Sequence, residues 1–383
     1  MMDKITTRRS FLRLASRTCG GALLAAGCTG GKEESHTPDA SAGEPMPAAV
    51  PADSKPTELV IKSVKDLKRP NSEVRIGCCW GQVGVPYWDA VTVGVKAAEK
   101  RWGFAPIRIG GPTINDPRAQ IAEVETWIAQ RFDAIVYQAV DSEASVPTIN
   151  KAVSRGIPVI TIDSDAHKSN RTVFDNQAND QDQAEAIIDQ LAAEINATGE
   201  WAFIVGEFTQ AQKMYQVDWA KKYANEKYPK MQFVRLEESK IDEARAADVA
   251  QQLMIAYPNL KGIVTNCGAG TPGAAQGIRQ AGKSGKIKIT GTGVPSTLKT
   301  FVADGTITRF FLWDPTHLGY RAIAIVNELL HGRDITPATR LSRWDDSDEP
   351  ADIRPNLQNP QVLDIVLGPP LAIHKGNIDQ FTF

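Results

Sequence analysis

The chain has 383 residues, with 43 Lys and Arg against 45 Asp and Glu, for a formal net charge of −2. That length holds two domains of ordinary size, and the near-neutral balance supplies no basic field for nucleic acid. After residue 28 no apolar run approaches the ~20 residues that a spanning helix needs.

The first 28 residues read as an address rather than as part of a fold. Thr7-Arg8-Arg9-Ser10-Phe11-Leu12-Arg13 precedes an apolar run, which ends in Leu24-Ala25-Ala26-Gly27-Cys28. The paired arginine resembles a twin-arginine export signal. The small residues before Cys28 resemble a bacterial lipobox, which implies cleavage before Cys28 and lipidation of its thiol. A plain signal-peptidase site near Ala25-Ala26 is the alternative. Either way the protein is expected to work in the periplasm or cell envelope. With Cys28 acylated it would be held there by lipid. Export argues against DNA regulation, ATP-driven chemistry and most cytosolic metabolism. Residues 1–27 are therefore expected to be a signal peptide and 28–70 a flexible tether, because 29–58 is almost free of large apolar residues and cannot offset its own chain entropy.

Downstream, short apolar runs alternate with helical periodicity. Strands are predicted over 74–79, 134–138, 158–163, 201–205, 262–265, 287–291 and 309–313. Ile121, Val124 and Ile128 recur at helical spacing within 116–130, as do Ala184, Ile187, Ile188, Leu191 and Ile195 within 180–195. Continuous apolar strands separated by helices mean a parallel sheet covered on both faces. The pattern runs twice, once over 127–163 and again over 253–291. The fold class is thus α/β, with two similar open parallel-sheet lobes joined by a multi-strand hinge. The N-terminal lobe is expected over 71–175 plus 315–335 and the C-terminal lobe over 176–314 plus 336–383. Hinge crossings are expected near 174–177, near 313–315, and after a helix ending near His331.

Cys78 and Cys79 sit on one strand and point to opposite faces, so they are not expected to pair. With Cys267 they read as buried thiols. No Cys/His spacing resembles a zinc site, so no metal is expected.

Open α/β sheets bind ligands beyond the carboxyl ends of their strands. At four such ends stand Tyr87-Trp88, Asp163-Ser164-Asp165, Asn266-Cys267-Gly268 and Trp313-Asp314. Aromatic faces with carboxylates and amides are the chemistry that grips a sugar: hydroxyls are clamped while a ring covers the C–H face.

On these residues the globular part resembles the periplasmic sugar-binding proteins of ABC importers, type I or ribose-binding class, nearest the rhamnose and autoinducer-2 binding branch. The resemblance runs over 73–330, with a weaker match at 367–371. The family's aromatic pair after the first strand corresponds to Tyr87-Trp88, although Val85 replaces its ligand-binding Asn. Its Ile-Pro-Val-Ile-Thr-hydrophobic-Asp corresponds to 157–163, making Asp163 the best carried-over ligand residue. The Asp-Ser-Asp of the autoinducer-binding branch corresponds to Asp163-Ser164-Asp165. That branch's Asp-Gln corresponds to Tyr215-Gln216, with only the Gln kept, and its Leu-Trp-Asp to Leu312-Trp313-Asp314. The ribose-class Arg is Ser164 here, which argues against ribose. The resemblance implies a non-enzymatic monomer that takes a small neutral sugar without a cofactor and delivers it to an ABC permease.

A competing signal is Gly268-Ala269-Gly270-Thr271-Pro272-Gly273, which fits G-x-G-x-x-G between a strand and a helix. It keeps open an exported NAD(P)-dependent oxidoreductase, although no ribose-gripping acid follows the next strand at 291–293. His167 and His317 have no nucleophile or carboxylate dyad at suitable spacing, so no catalytic residue is assigned. The same binding module could also serve as a sensor for a membrane kinase.

Overall fold

The computed structural model describes residues 59–381 and 383; the expected leader and Cys28 lie outside the described residues. The order begins β1 (Ile76–Cys79), α1 (Pro86–Trp102), β2 (Arg108–Gly110), α2 (Pro117–Ala129), β3 (Ala134–Tyr137), α3 (Val146–Ser154), β4 (Val159–Ile162) and β5 (Val173–Asn176). Every residue of β1, β3, β4 and β5 is buried, as fits short apolar strands sandwiched between helices. These strands pair in parallel in the order β5-β4-β3-β1-β2. Pro stands in the first turn of α1, α2 and α3, where a missing N–H costs nothing.

The second lobe continues with α4 (Asp180–Glu194), β6 (Gly199–Val205), α5 (Ala211–Lys227), β7 (Met231–Glu238), α6 (Glu243–Ala256), β8 (Leu260–Thr265), α7 (Gly270–Gln280), β9 (Lys288–Gly291), α8 (Pro295–Ala303) and β10 (Arg309–Leu312). Its parallel sheet runs β7-β6-β8-β9. Two strands carry no apolar run to announce them. β2 is three residues long with none buried, and β7 alternates polar and apolar residues with only Met231 buried.

The chain returns to the first lobe in α9 (Pro315–Leu330), which lies on α1. A Cβ on Gly94 would stand 1.8 Å from the Thr316 carbonyl oxygen, and one on Gly319 2.0 Å from that of Val91. Glycine at both places lets the two backbones touch.

The tail then departs from expectation. A small hairpin, β11 (Arg340–Ser342) with β12 (Asp348–Pro350), is followed by β13 (Ile353–Pro355) and β14 (Leu363–Val366). β14 pairs in parallel with β5, and β13 pairs with β14, extending the first sheet to seven strands. Assignment of all of 336–383 to the second lobe is therefore corrected. Only β15 (Leu371–His374) joins that lobe, pairing antiparallel with β10. The third crossing lies at 367–370, not directly after His331.

Buried charge explains the correction. Arg171 donates to Asp165 and, at 3.0 Å, to Asp364 on β14, with all three side chains buried. Arg321 on α9 donates to Asp175 Oδ1 at 2.8 Å and to the carbonyls of Asn176 and Ile365, stapling β5 and β14 together.

Part of the expected tether, from residue 59 onward, belongs to the fold instead. Ile61 is buried and exchanges backbone hydrogen bonds with Ile335, while the Leu67 amide donates to the Leu330 carbonyl. Cys78, Cys79 and Cys267 are buried free thiols. Burial pushes the Cys78 thiol up.

Candidate functional site

A cavity of about 370 Å³ lies between the lobes. The first lobe supplies Tyr87 and Trp88 from the start of α1, Gln138 from the end of β3 and Asp163 from the end of β4. Asp163 adopts φ 64°, a left-handed turn that ends the strand abruptly. Its carboxylate accepts from the Tyr87 hydroxyl at 3.0 Å and from Gln138 Nε2 at 3.3 Å, and Gln177 Nε2 donates to its carbonyl at 3.1 Å. The Gly81 amide holds Gln138 Oε1 at 2.6 Å, which fixes that amide's orientation.

The aromatic residues form one connected group. The Trp80 and Trp88 rings stack 4.8 Å apart at 16°, while Tyr87 meets Trp88 and Trp313 edge-on. Trp313 follows β10 at the second crossing, and its indole N–H donates to the Tyr87 hydroxyl at 2.8 Å. Hydrogen bonds thus run from Trp313 through Tyr87 to Asp163. Burial, with Asp163 adding to it, pushes the Tyr87 phenol well above its ordinary value, so the hydroxyl keeps its proton.

The second lobe supplies Gln210, Lys213, Asn266, Cys267, Gly268 and Thr292. Asn266 Oδ1 and Gln210 Oε1 are buried without a protein donor. Lys213 stands at the start of α5 with its ammonium 5.5 Å from the centre of the Trp313 ring. A cation at a helix N-terminus opposes the helix dipole.

The lobes touch through direct bonds. Asn115 Nδ2 donates to Glu207 Oε1 at 2.9 Å, Gln210 Nε2 to Ser164 Oγ at 3.0 Å, and the Ser142 amide to the Thr209 carbonyl at 3.2 Å. The cleft is closed in this conformation.

Of the residues singled out in the sequence, Tyr87, Trp88, Asp163, Asn266, Gly268 and Trp313 line the cavity. The other five stand outside its lining. Ser164 accepts from Gln210. Asp165 is spent on Arg171. The Tyr215 hydroxyl accepts from Gln181, and Gln216 donates to Asp180 and Gln183. Asp314 caps α9, accepting from the His317 amide and from Trp344 Nε1.

Gln138, Gln210 and Lys213 were missed. Gln138 closes a predicted strand, so the strand-end rule applied to that strand would have found it. Lys213 carries the dipole mismatch as its signal. Gln210 precedes α5 and has no sequence signal of its own.

The G-x-G-x-x-G stretch has a packing explanation. A Cβ on Gly273 would lie 2.3 Å from the Glu243 carbonyl oxygen, so this glycine lets α7 lie tightly against α6.

Two lobes, three crossings and a polar, aromatic-lined cavity between them define a two-lobed solute-binding architecture. The chain belongs to the periplasmic binding protein domain family, whose match spans residues 76–334. The D-allose-binding periplasmic protein of Escherichia coli is 25% identical over 252 residues, covering 63% of this chain and 79% of that protein. The ribose import binding protein of Bacillus subtilis is 22% identical, covering 69% and 84%. A solute-binding protein of an ABC transporter from Clostridium phytofermentas, solved with bound L-rhamnose, superposes with a TM-score of 0.72 at 25% identity, covering 80% and 98%. An autoinducer-2 complex from Clostridium saccharobutylicum gives a TM-score of 0.74 at 19% identity, covering 81% and 100%, a likeness of fold.

Proposed function

We propose that this chain is an extracytoplasmic solute-binding protein that captures a small neutral sugar between its lobes and delivers it to an ABC importer. The observation that carries this reading is the cavity. A carboxylate and amides face each other across it beside Tyr87, Trp88 and Trp313, the combination that binds hydroxyls and covers a sugar's C–H face. The names of the relatives, allose- and ribose-binding proteins, support the same class. No bond is made or broken. Contacts to both lobes favour the closed state, and the crossings act as the hinge. The chain works as a monomer, without a cofactor.

Calorimetric titration and thermal shift with pentoses, hexoses and deoxyhexoses test the proposal, because a ligand of the folded state raises its melting temperature. At least one sugar should bind with a clear shift. Silence across the panel would sink the reading. Anchoring through acylated Cys28 is part of the proposal, and Cys28→Ser should move the protein from the membrane fraction to the soluble one.

A further inference from the structure

Asn266 offers the cavity only an acceptor. Both hydrogens of its side-chain amide are spent behind the wall, one on the Lys213 carbonyl at 2.9 Å and one on Gln216 Oε1 at 3.1 Å. Gln216 has no freedom to turn either. Its Nε2 gives one hydrogen to Asp180 Oδ1 at 2.7 Å and the other to Gln183 Oε1 at 2.8 Å. Gln183 must then use its own Nε2 as donor, to Thr292 Oγ1 at 3.1 Å. Every orientation in this chain of amides is held from two sides, by Asp180 and by the Lys213 carbonyl, because neither an ionised carboxylate nor a backbone carbonyl has a hydrogen to give. Asp180 also accepts from Gln212 at 2.7 Å. It lies at the start of α4, beside the first crossing and outside the cavity lining.

The two ends of the chain both line the cavity. At one end Asn266 Oδ1 is buried with no donor. At the other the Thr292 hydroxyl, already accepting from Gln183, keeps its hydrogen for an acceptor. Gln216, a candidate ligand contact by resemblance, instead sets what its neighbours can contact.

We propose that Asp180 and Gln216, together with the Lys213 carbonyl, are the positioning groups that fix the hydrogen-bond polarity of the second-lobe wall, so that the ligand must present a hydroxyl hydrogen to Asn266 Oδ1. This rests on the sugar-binding reading and sharpens it: a fluorine, ether oxygen or carbonyl at that position meets an acceptor facing an acceptor. Burial pushes the Asp180 carboxyl up to about 6, against the bonds from Gln216 and Gln212 and the charge of Lys213. At pH 7.5 it is therefore ionised and the polarity is set.

The test titrates the purified protein at pH 7.5 with L-rhamnose, D-ribose, D-allose and D-arabinose, then with the monodeoxy and monodeoxyfluoro derivatives of the tightest binder. At one hydroxyl position fluorine should cost about 10- to 100-fold in affinity, at least as much as removing the hydroxyl, since a buried acceptor is left unpaired. In Asp180→Asn, whose amide can give Gln216 a hydrogen and leave the Lys213 carbonyl alone to hold Asn266, the hydroxyl-to-fluorine ratio should shrink at least threefold. Gln216→Leu breaks the chain one step closer and should shrink it likewise, which keeps the test alive if Asp180→Asn fails to fold. A residue that only props up the fold would weaken both sugars equally, so an unchanged ratio in a folded variant overturns the proposal. Fluorine tolerated at every position overturns it too, while leaving sugar binding intact. Failure of these four and of the wider pentose, hexose and deoxyhexose panel to bind overturns the sugar reading and this inference together.

Discussion

On the first lobe the cavity's carboxylate, Asp163, is already held by Tyr87 and Gln138. On the second, the amide oxygens of Asn266 and Gln210 are buried with no donor at all. The first wall is self-sufficient: its polar atoms are positioned whether or not a ligand is present. The second wall carries desolvated acceptors whose cost falls only when a ligand hydroxyl or a water meets them. Preorganisation on one side and unmet demand on the other suit a protein whose lobes close on their cargo. Two carboxylates only two residues apart show the same division within one lobe. Asp163 faces the cavity, whereas Asp165 is consumed by Arg171.

The most severe way to probe that division is Arg171→Met. It leaves Asp165 and Asp364 buried without their cation, a loss on the order of 3–5 kcal/mol. The unliganded melting temperature should fall sharply, while sugar affinity measured well below the transition stays near wild type. A stable variant with lost affinity would return Asp165 to the binding site.

Asp163→Ala should do the opposite. Removing a charged acceptor from the closed site should weaken sugar binding by about 2–3 kcal/mol, with a fall in the unliganded melting temperature much smaller than that of Arg171→Met, set by the lost bonds from Tyr87 and Gln138 and by alanine at φ 64°. Calorimetry beside melting curves separates the outcomes. A destabilised protein of intact affinity would make Asp163 a fold residue.

Trp313→Phe keeps a ring at the hinge but removes the donor to Tyr87. The expected cost in affinity is about 1 kcal/mol, that of one neutral hydrogen bond. Trp313→Ala should cost more, since the ring contact goes as well. Equal losses in the two variants would place all of Trp313's contribution in its N–H.

The smallest effect belongs to the hinge staple. Burial pushes the Asp175 carboxyl up to about 6, against the opposing pull of Arg321. A carboxyl with a raised folded-state value binds its proton more tightly folded than unfolded. Its contribution to stability is therefore present at pH 4 and lost as pH rises through about 6. Lowering the pH from 7.5 to 5.5 should add less than about 1 kcal/mol from this group. Melting curves of wild type and Asp175→Asn across that range should differ in slope with this sign. A wild-type protein that loses stability relative to the variant on acidification would contradict it.

Local signals in the sequence determined much of this protein. Apolar runs of four buried residues gave away β1, β3 and β4, helical spacing gave away α2 and α4, and the strand-end rule reached Tyr87, Asp163, Asn266 and Trp313. These features are legible because strand burial and helix periodicity are properties of neighbouring residues. The tertiary structure alone decided the rest. β7, an edge strand with mixed polarity, has no local pattern to betray it. β14 belongs to the first lobe because Arg171 and Arg321 reach across more than forty residues of sequence to bind it. Which of Asp163 and Asp165 faces the cavity depends on one left-handed turn and one buried guanidinium. The acceptor character of Asn266 depends on the Lys213 carbonyl and on a carboxylate 86 positions earlier in the chain, at residue 180. Such pairings join residues distant in sequence, and hydrogen-bond polarity is inherited from whichever partner has no choice.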